Sequence, residues 1–139
     1  MLDRDQIRAL VAHEVALIEA PDRRAALEAL LIEPRLEERT WDYAWPVVRY
    51  PYWVVAEAPD GSMMLVHCDQ GFGPAMPWGF LHAPHLARPS LGMDAQWGWY
   101  LEEAFVRSCL WTGFVKPDLE ESFHMSPEER FGRESRPDT

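Results

Sequence analysis

The hydrophobic positions near the amino terminus repeat with the period of an α-helix. Asp3 and Gln6 stand three positions apart just before this run and form a capping-box pattern, which marks a helix start. Side chains three or four positions apart lie on one face of a helix. The sequence therefore predicts an amphipathic helix over residues 3–19, with an apolar stripe of Ile7, Leu10, Val11, Leu17 and Ile18.

A second helix is predicted directly after the first. Pro21 suits a first helical turn, where its missing N–H is not needed, and Pro34 forbids continuation of the helix. We expect this helix to run from Asp22 to about Ile32 and to form a helical hairpin with the first. Its apolar stripe is Leu27, Leu30 and Leu31.

From Trp41 onward the helical period gives way to short runs of aromatic and β-branched residues, which favour strands. Two such runs are Val47–Tyr50 and Trp53–Glu57. Residues 59–62, Pro-Asp-Gly-Ser, form a turn signal, because proline presets φ and glycine permits a positive φ. The sequence predicts a β-hairpin from about Tyr52 to Cys68.

The stretch from Asp69 to Leu91 contains four prolines and three glycines, which predicts a long structured loop. Within it, Trp78–His82 has the composition of a short third strand. Asp94 then opens a helical pattern that we expect to continue to about Trp111, with Gly113 as its stop. The apolar face of this last helix is expected to pack on the sheet.

The order of these elements predicts one small α+β domain over residues 1–125. It combines an N-terminal helical hairpin, a small antiparallel sheet with a Gly/Pro-rich loop, and a C-terminal helix packed on the sheet. With 139 residues and 47% hydrophobic content, the chain can bury a core without disulfides or metals. Residues 126–139 are polar, with one helix start at Ser126, and are predicted to form a partly disordered tail.

The chain is strongly acidic, with 23 Asp and Glu against 13 Lys and Arg and a formal net charge of −10. Such a charge repels nucleic acid and anionic lipid and attracts basic proteins. No apolar run approaches the roughly 18 to 20 residues that a membrane span needs. Cys68 and Cys109 are far apart in sequence and no signal core is visible, so we expect a cytoplasmic protein with reduced thiols, either a monomer or a homodimer.

Residues with catalytic potential gather at the end of the predicted hairpin and in the loop. Cys68 is a potential nucleophile that His82 or His85 would assist, and these side chains with His67 are potential zinc ligands. Adjacent strand residues point to opposite faces, so His67 cannot readily activate Cys68. No zinc spacing is present. We therefore expect Cys68 to pack in the core and expect neither a metal nor a cofactor, with a small enzyme that also uses Asp69 as the alternative.

Seven Trp, six Phe and four Tyr make up 12% of the chain. Alternating residues of an extended segment face one side, so Trp41, Tyr43 and Trp45 would form one aromatic strip. Core packing of these three side chains against the sheet is the alternative. Aromatic side chains mixed with carboxylates are typical of protein-binding surfaces. We expect the partner-binding surface to comprise Trp41, Tyr43, Trp45, Trp78, Asp94, Glu102 and Glu103.

Short motifs between residues 50 and 105 carry a resemblance to known proteins. They are Tyr50-Pro51-Tyr52-Trp53, then Gly71-Phe72-Gly73-Pro74 with Pro77-Trp78-Gly79, and Gly92-Met93-Asp94. This region resembles a small uncharacterised bacterial domain, and in size and acidity the chain resembles the immunity proteins that neutralise interbacterial toxins. The resemblance implies a non-enzymatic bacterial protein.

The expected function is an immunity-type inhibitor. Such a protein would mask the active site of a toxin, for example a nuclease whose nucleic-acid groove is basic, and its acidity would accelerate capture. A small enzyme and a homodimeric structural protein are the alternatives.

Overall fold

The computed structural model of the protein describes residues 1–41, 45–83 and 96–132. The helices of these ranges are α1 (Arg4–Ala16), α2 (Pro21–Glu28), α3 (Leu101–Arg107), α4 (Pro117–Ser122) and α5 (Pro127–Phe131). The strands are β1 (Leu31–Trp41), β2 (Val48–Glu57), β3 (Met63–His67), β4 (Trp78–His82) and β5 (Gln96–Gly98). None of the helices in the described ranges is long and apolar enough to cross a membrane.

The predicted amino-terminal helix is confirmed. The Asp3 carboxylate accepts a hydrogen bond from the Gln6 backbone N–H at 2.8 Å, and the Asp3 N–H donates to the Gln6 side chain at 2.9 Å. These two bonds form the expected capping box. Ile7 and Val11 of the predicted stripe are buried. α2 follows from Pro21, so two helices joined by a short connection open the chain.

The second helix is shorter than predicted. α2 ends at Glu28, and the chain from Leu31 continues as β1, so the expected extension of the helix to Ile32 is wrong. The last leucines of the stripe fit a helix or a strand, and pairing with β2 favours the strand because it satisfies the backbone of both segments. Pro34 is accommodated because β1 lies at the edge of the sheet.

The strands form one antiparallel sheet in the order β1-β2-β3-β4-β5. β2 and β3 form the predicted hairpin, in which Trp53 lies opposite His67 and Val54 lies opposite Val66. The predicted third strand, Trp78–His82, is β4. Each strand pairs with the next in sequence, as in a β-meander.

The sheet buries side chains on both of its faces. Helices α1 and α3 cover the first face, where the core includes Ile7, Val11, Trp53, Leu65, Trp78, Leu101 and Phe105. The second face buries Trp41, Tyr52, Val54, Met64, Val66, Cys68 and Leu81. The predicted α+β class, with helices packed on an antiparallel sheet, is confirmed.

The helix predicted from Asp94 to about Trp111 is wrong outside its middle turns. Gln96–Gly98 forms β5, and the helix itself is α3, Leu101–Arg107. In the strand Trp97 lies opposite Gly79, whose missing side chain leaves room for the indole ring. The apolar spacing predicts a longer helix, but pairing with β4 keeps the residues of β5 extended.

Residues 126–132, which we expected to belong to a tail, pack on the body of the domain. The Arg130 guanidinium lies 4.6 Å from the centre of the Tyr100 ring. Phe131 meets Tyr100 edge-on, with ring centroids 6.1 Å apart. The folded domain therefore extends through α5, and residues 133–139 lie outside the described residues.

Candidate functional site

Four residues of the predicted binding surface are buried, so the expectation that they are exposed is wrong; they are Trp41, Trp78, Glu102 and Glu103. The Trp41 ring packs against Tyr50 and Phe72, with centroid distances of 5.9 and 5.0 Å. Trp78 is 2% exposed, and its ring centroid lies 4.7 Å from that of His67. Burying large aromatic side chains in the core stabilises a small domain. The packing alternative is therefore correct for Trp41, and Trp78 likewise belongs to the core.

Trp45 is the one predicted aromatic that the described residues leave on the surface. It is 92% exposed and lies in the connection between β1 and β2. Trp41, at the end of β1, is buried, so the two residues do not belong to one exposed strip. Tyr43 and Asp94 lie outside the described residues.

Glu102 and Glu103 are not surface residues either, since they are 3% and 5% exposed. Both lie in the first turn of α3, which packs against the sheet. Glu102 accepts a hydrogen bond from Arg23 Nε at 2.8 Å, and Glu103 lies 2.5 Å from Arg107. A buried carboxylate is costly unless it is paired, and these two arginines supply the pairing.

The backbone around the start of α3 adds further donors to this cluster of carboxylates. The Trp99 N–H donates to Glu103 at 3.1 Å, and the Leu101 N–H donates to the Glu14 carboxylate of α1 at 3.0 Å. Burial raises the pKa of Glu103, although the nearby Arg107 opposes that shift. Glu102 thus links α3 to α2, Glu14 links α3 to α1, and Glu103 is paired within the α3 segment.

A cleft of about 760 Å³ opens above the Arg23–Glu102 pair. Arg130 of α5 also lines it, with Nη2 3.9 Å from a Glu102 carboxylate oxygen. Phe114, at the rim, is 79% exposed. We call this feature the α2–α4 cleft. The charged residues at its rim are Glu19, Asp22, Lys116 and Asp118.

The charges of the α2–α4 cleft are arranged in two levels. At the floor Glu102 lies between two arginines, and the Arg23 guanidinium also lies over the Trp111 ring at 5.8 Å from its centre. At the rim Lys116 and three carboxylates are exposed to solvent. The floor therefore carries a formal charge of +1 and the rim a formal charge of −2, so the exposed rim is the acidic part of the cleft and can attract cationic groups.

A second, smaller cavity of about 140 Å³ lies beside the Gly/Pro-rich loop. Its lining includes the buried Glu14 and His67, together with Asp69 and two loop prolines, Pro74 and Pro77. The structure thus brings two of the candidate catalytic side chains, His67 and Asp69, to one concavity. Within the described ranges, no three His, Cys, Asp or Glu side chains are grouped so as to hold a metal ion.

Cys68 does not belong to that cavity. Its side chain is buried on the second face of the sheet, where Sγ lies 3.5 Å from the carbonyl oxygen of Pro51. Burial raises the pKa of the Cys68 thiol to about 11, which disfavours the thiolate that nucleophilic chemistry needs. The core-packing interpretation of Cys68 is confirmed. His82 is exposed, and His85 lies outside the described residues.

Sequence reasoning missed Arg23, Arg130 and Phe114. Arg23 stands four positions before Leu27, so it shares the apolar stripe of α2, and an arginine in such a stripe signals a buried ion pair. Phe114 directly follows Gly113, beyond any regular element, where an apolar side chain is easily left exposed. Arg130 carried no sequence signal, because its ion-pair partner, Glu102, lies on the distant helix α3.

These features define the class of the protein as a small α+β fold, a five-stranded antiparallel meander with helices on one face and a charged cleft beside them. Comparison with known proteins found no matching family model, no matching curated protein and no matching solved structure.

Proposed function

We propose that the protein is an acidic binding module that engages a basic protein through the α2–α4 cleft. The observation that carries this proposal is an open cleft whose rim combines exposed carboxylates from both sides with an exposed aromatic ring, Phe114. Asp22 contributes from α2, and Asp118 contributes from α4. This combination is the usual anatomy of a protein-binding surface.

The charge around the cleft favours a cationic partner. Residues 114–132 carry five acidic and two basic side chains, and all five acidic ones are exposed. The one buried carboxylate at the floor of the cleft, Glu102, is paired with arginines, so the uncompensated negative charge of the cleft lies at its rim. A basic partner would be steered toward this end of the molecule, most strongly at low ionic strength.

Phe114 is the candidate anchor of the interface. An aromatic side chain that acts as a hot spot contributes about 2 kcal/mol or more, which corresponds to roughly 30-fold in affinity. Phe114 lines the cleft, so a partner side chain that enters the cleft could contact the ring. Hydrophobic anchoring with an acidic rim would combine slow release with fast capture.

In its most specific form the proposal is an immunity-type inhibitor. The partner would then be a toxin, and a basic nucleic-acid groove would be the complementary surface for the acidic rim. The support for this form is the size and acidity of the chain together with the placement of its exposed carboxylates.

Quantitative affinity capture with matched variants tests the proposal. Four tagged baits are used to capture proteins from the native lysate at 50 and 300 mM salt: the wild type, Phe114→Ala, Asp118→Lys and the control Glu28→Lys. The captured proteins are quantified by mass spectrometry. Glu28 is exposed on α2 and does not line the cleft, and Glu28→Lys changes the net charge by the same amount as Asp118→Lys. We expect one basic protein that the wild type and Glu28→Lys retain and both cleft variants lose.

Equal retention by all four baits would refute the cleft as the binding site. Absence of any stoichiometric partner, with a dimer in light scattering, would instead favour a homodimeric structural protein.

One observation favours a second candidate, a small acid–base enzyme. His67 and Asp69 line the same small cavity as the buried Glu14, and a cavity that combines a histidine with carboxylates is a common setting for acid–base chemistry. A screen of small ester, amide and phosphoester substrates tests it, with His67→Gln compared with the exposed His82→Gln. An activity that only His67→Gln abolishes would establish the enzyme; no activity, or equal losses, would reject it.

A further inference from the structure

An apolar pocket separate from the α2–α4 cleft lies between α1, α2 and the start of β1. Its volume is about 610 Å³, within the range of roughly 300 to 1,000 Å³ that is usual for small-molecule sites. Val11, Val15 and Val55 line it and are buried, while Leu31 and Ile32 of β1 are half-buried. We call this feature the α1–β1 pocket.

Polar contacts connect the elements at both ends of the α1–β1 pocket. Near the start of α1, Arg8 forms an ion pair with Glu33 of β1. Beyond the end of α1, Arg24 of α2 donates through Nε to the Ile18 carbonyl at 2.9 Å. The Arg8–Glu33 pair joins α1 to β1 and so crosses one end of the pocket, whereas the Arg24 contact joins α2 only to the connection before it. With one end crossed and a volume of about 610 Å³, the pocket suits a compact molecule better than a long helix or strand.

The charges at the pocket argue for an uncharged ligand. The lining contains two cations, Arg8 and Arg24, and two anions, Glu28 and Glu33, so its formal charge is zero. Arg8 is already paired with Glu33, and Arg24 is held by a backbone carbonyl. An anionic ligand would lose hydration in this pocket without gaining a counter-ion, because both arginines already have partners. A cationic ligand would meet only Glu28, and an ion pair with a carboxylate so exposed to solvent adds little.

We propose that the α1–β1 pocket binds an uncharged, compact apolar small molecule, of the size of a medium-chain alcohol or a small terpenoid. The valine and leucine walls supply the binding energy through burial of the ligand's apolar surface. The exposed alanines Ala12 and Ala16 form part of the lining and leave the mouth open to solvent. This site is independent of the proposed protein-binding cleft.

Fluorescence titration with the uncharged probe N-phenyl-1-naphthylamine tests the proposal on the full chain. We expect one site per chain with a micromolar Kd, and we expect 1-decanol to displace the probe at least tenfold more effectively than decanoate at pH 8. Ala12→Leu and Ala16→Leu place larger side chains in the mouth and should weaken probe binding at least tenfold. The matched control Ala9→Leu, exposed on α1 outside the pocket, should leave it unchanged.

Three results would overturn the proposal. The first is equal displacement of the probe by decanoate and decanol, and the second is equal probe affinity in Ala9→Leu and both pocket variants. The third is dimerisation without the probe that Ala16→Leu abolishes, which would assign the pocket to a second copy of the chain. Since the substituted alanines are exposed, the variants do not require repacking of the core. Thermal melts of each variant distinguish loss of the site from loss of the fold.

Discussion

Removal of the Glu102 carboxylate is the most direct test of the ion pair beneath the α2–α4 cleft. In Glu102→Ala the Arg23 guanidinium stays buried without its partner at 2.8 Å, and Arg130 loses the same carboxylate. Breaking a buried pair from one side costs about 3–5 kcal/mol. Because a domain of this size has a total stability of about 5–15 kcal/mol, the loss should be visible as a large shift of the unfolding midpoint.

A double-mutant cycle separates the pair from the packing around it. Arg23→Met with Glu102→Leu removes both charges, and the double variant should lose much less stability than the two single variants together, with a coupling of about 2 kcal/mol or more. Glu121→Ala, an exposed carboxylate on α4, is the control and should change stability by about 0.5 kcal/mol or less. The assay is guanidinium unfolding at pH 7. A loss below about 1 kcal/mol in Glu102→Ala would refute the reasoning.

Three further predictions concern α3 and the thiols. Burial raises the pKa of Glu103 above its ordinary 4.5, so the folded state binds the additional proton, and wild-type stability should fall relative to Glu103→Gln as pH rises from 4.5 through that pKa. Denaturation series between pH 4 and 8 check this sign, and a relative gain by the wild type would contradict it. Cys109 is exposed, whereas Cys68 is buried and its pKa of about 11 leaves about one thiolate in a thousand at pH 8. A disulfide reagent should therefore react quickly with one thiol per chain, and Cys109→Ser should remove that fast reaction. A fast thiol that persists in Cys109→Ser would contradict this prediction. Gly98→Ala should cost about 1–3 kcal/mol in thermal melts, because a Cβ there would overlap the carboxylate that Arg107 holds, and an unchanged melting temperature would show that Glu103 can move aside.

The parts of the fold that could be predicted from the sequence are those that local interactions determine. The capping box of α1 and the hairpin around residues 59–62 depend on residues a few positions apart, and both form as expected. The start of β1 and the extended β5 depend on pairing with distant strands. Their apolar spacing is compatible with a helix, so only the tertiary contacts decide between the two.

The predicted binding surface failed for a different physical reason. A carboxylate is usually exposed, and Glu102 and Glu103 stand beside each other on a helix, so a solvated face was the natural expectation. Their burial depends on Arg23, which lies 79 positions away along the chain, and on Arg107, one turn further along α3. The spacing of four residues along α3 predicts the Glu103–Arg107 pair, but nothing in the sequence predicts the Glu102–Arg23 pair. Nor does the pattern within α3 show that both carboxylates face the core.

This burial changes the meaning of the net charge of −10. Buried acidic residues with arginine partners contribute little to the field outside the molecule, so the total charge does not locate the acidic surface. The exposed carboxylates are the ones that matter, and among those of residues 114–132 Asp118 lines the cleft, where the buried Glu102 is already paired with arginines. If acidity serves to recruit a partner, the salt dependence of binding should therefore respond to Asp118 on α4 and not to an equally exposed carboxylate elsewhere, such as Glu28. A salt dependence that both substitutions reduce equally would mean that the overall charge, and not the cleft, attracts the partner.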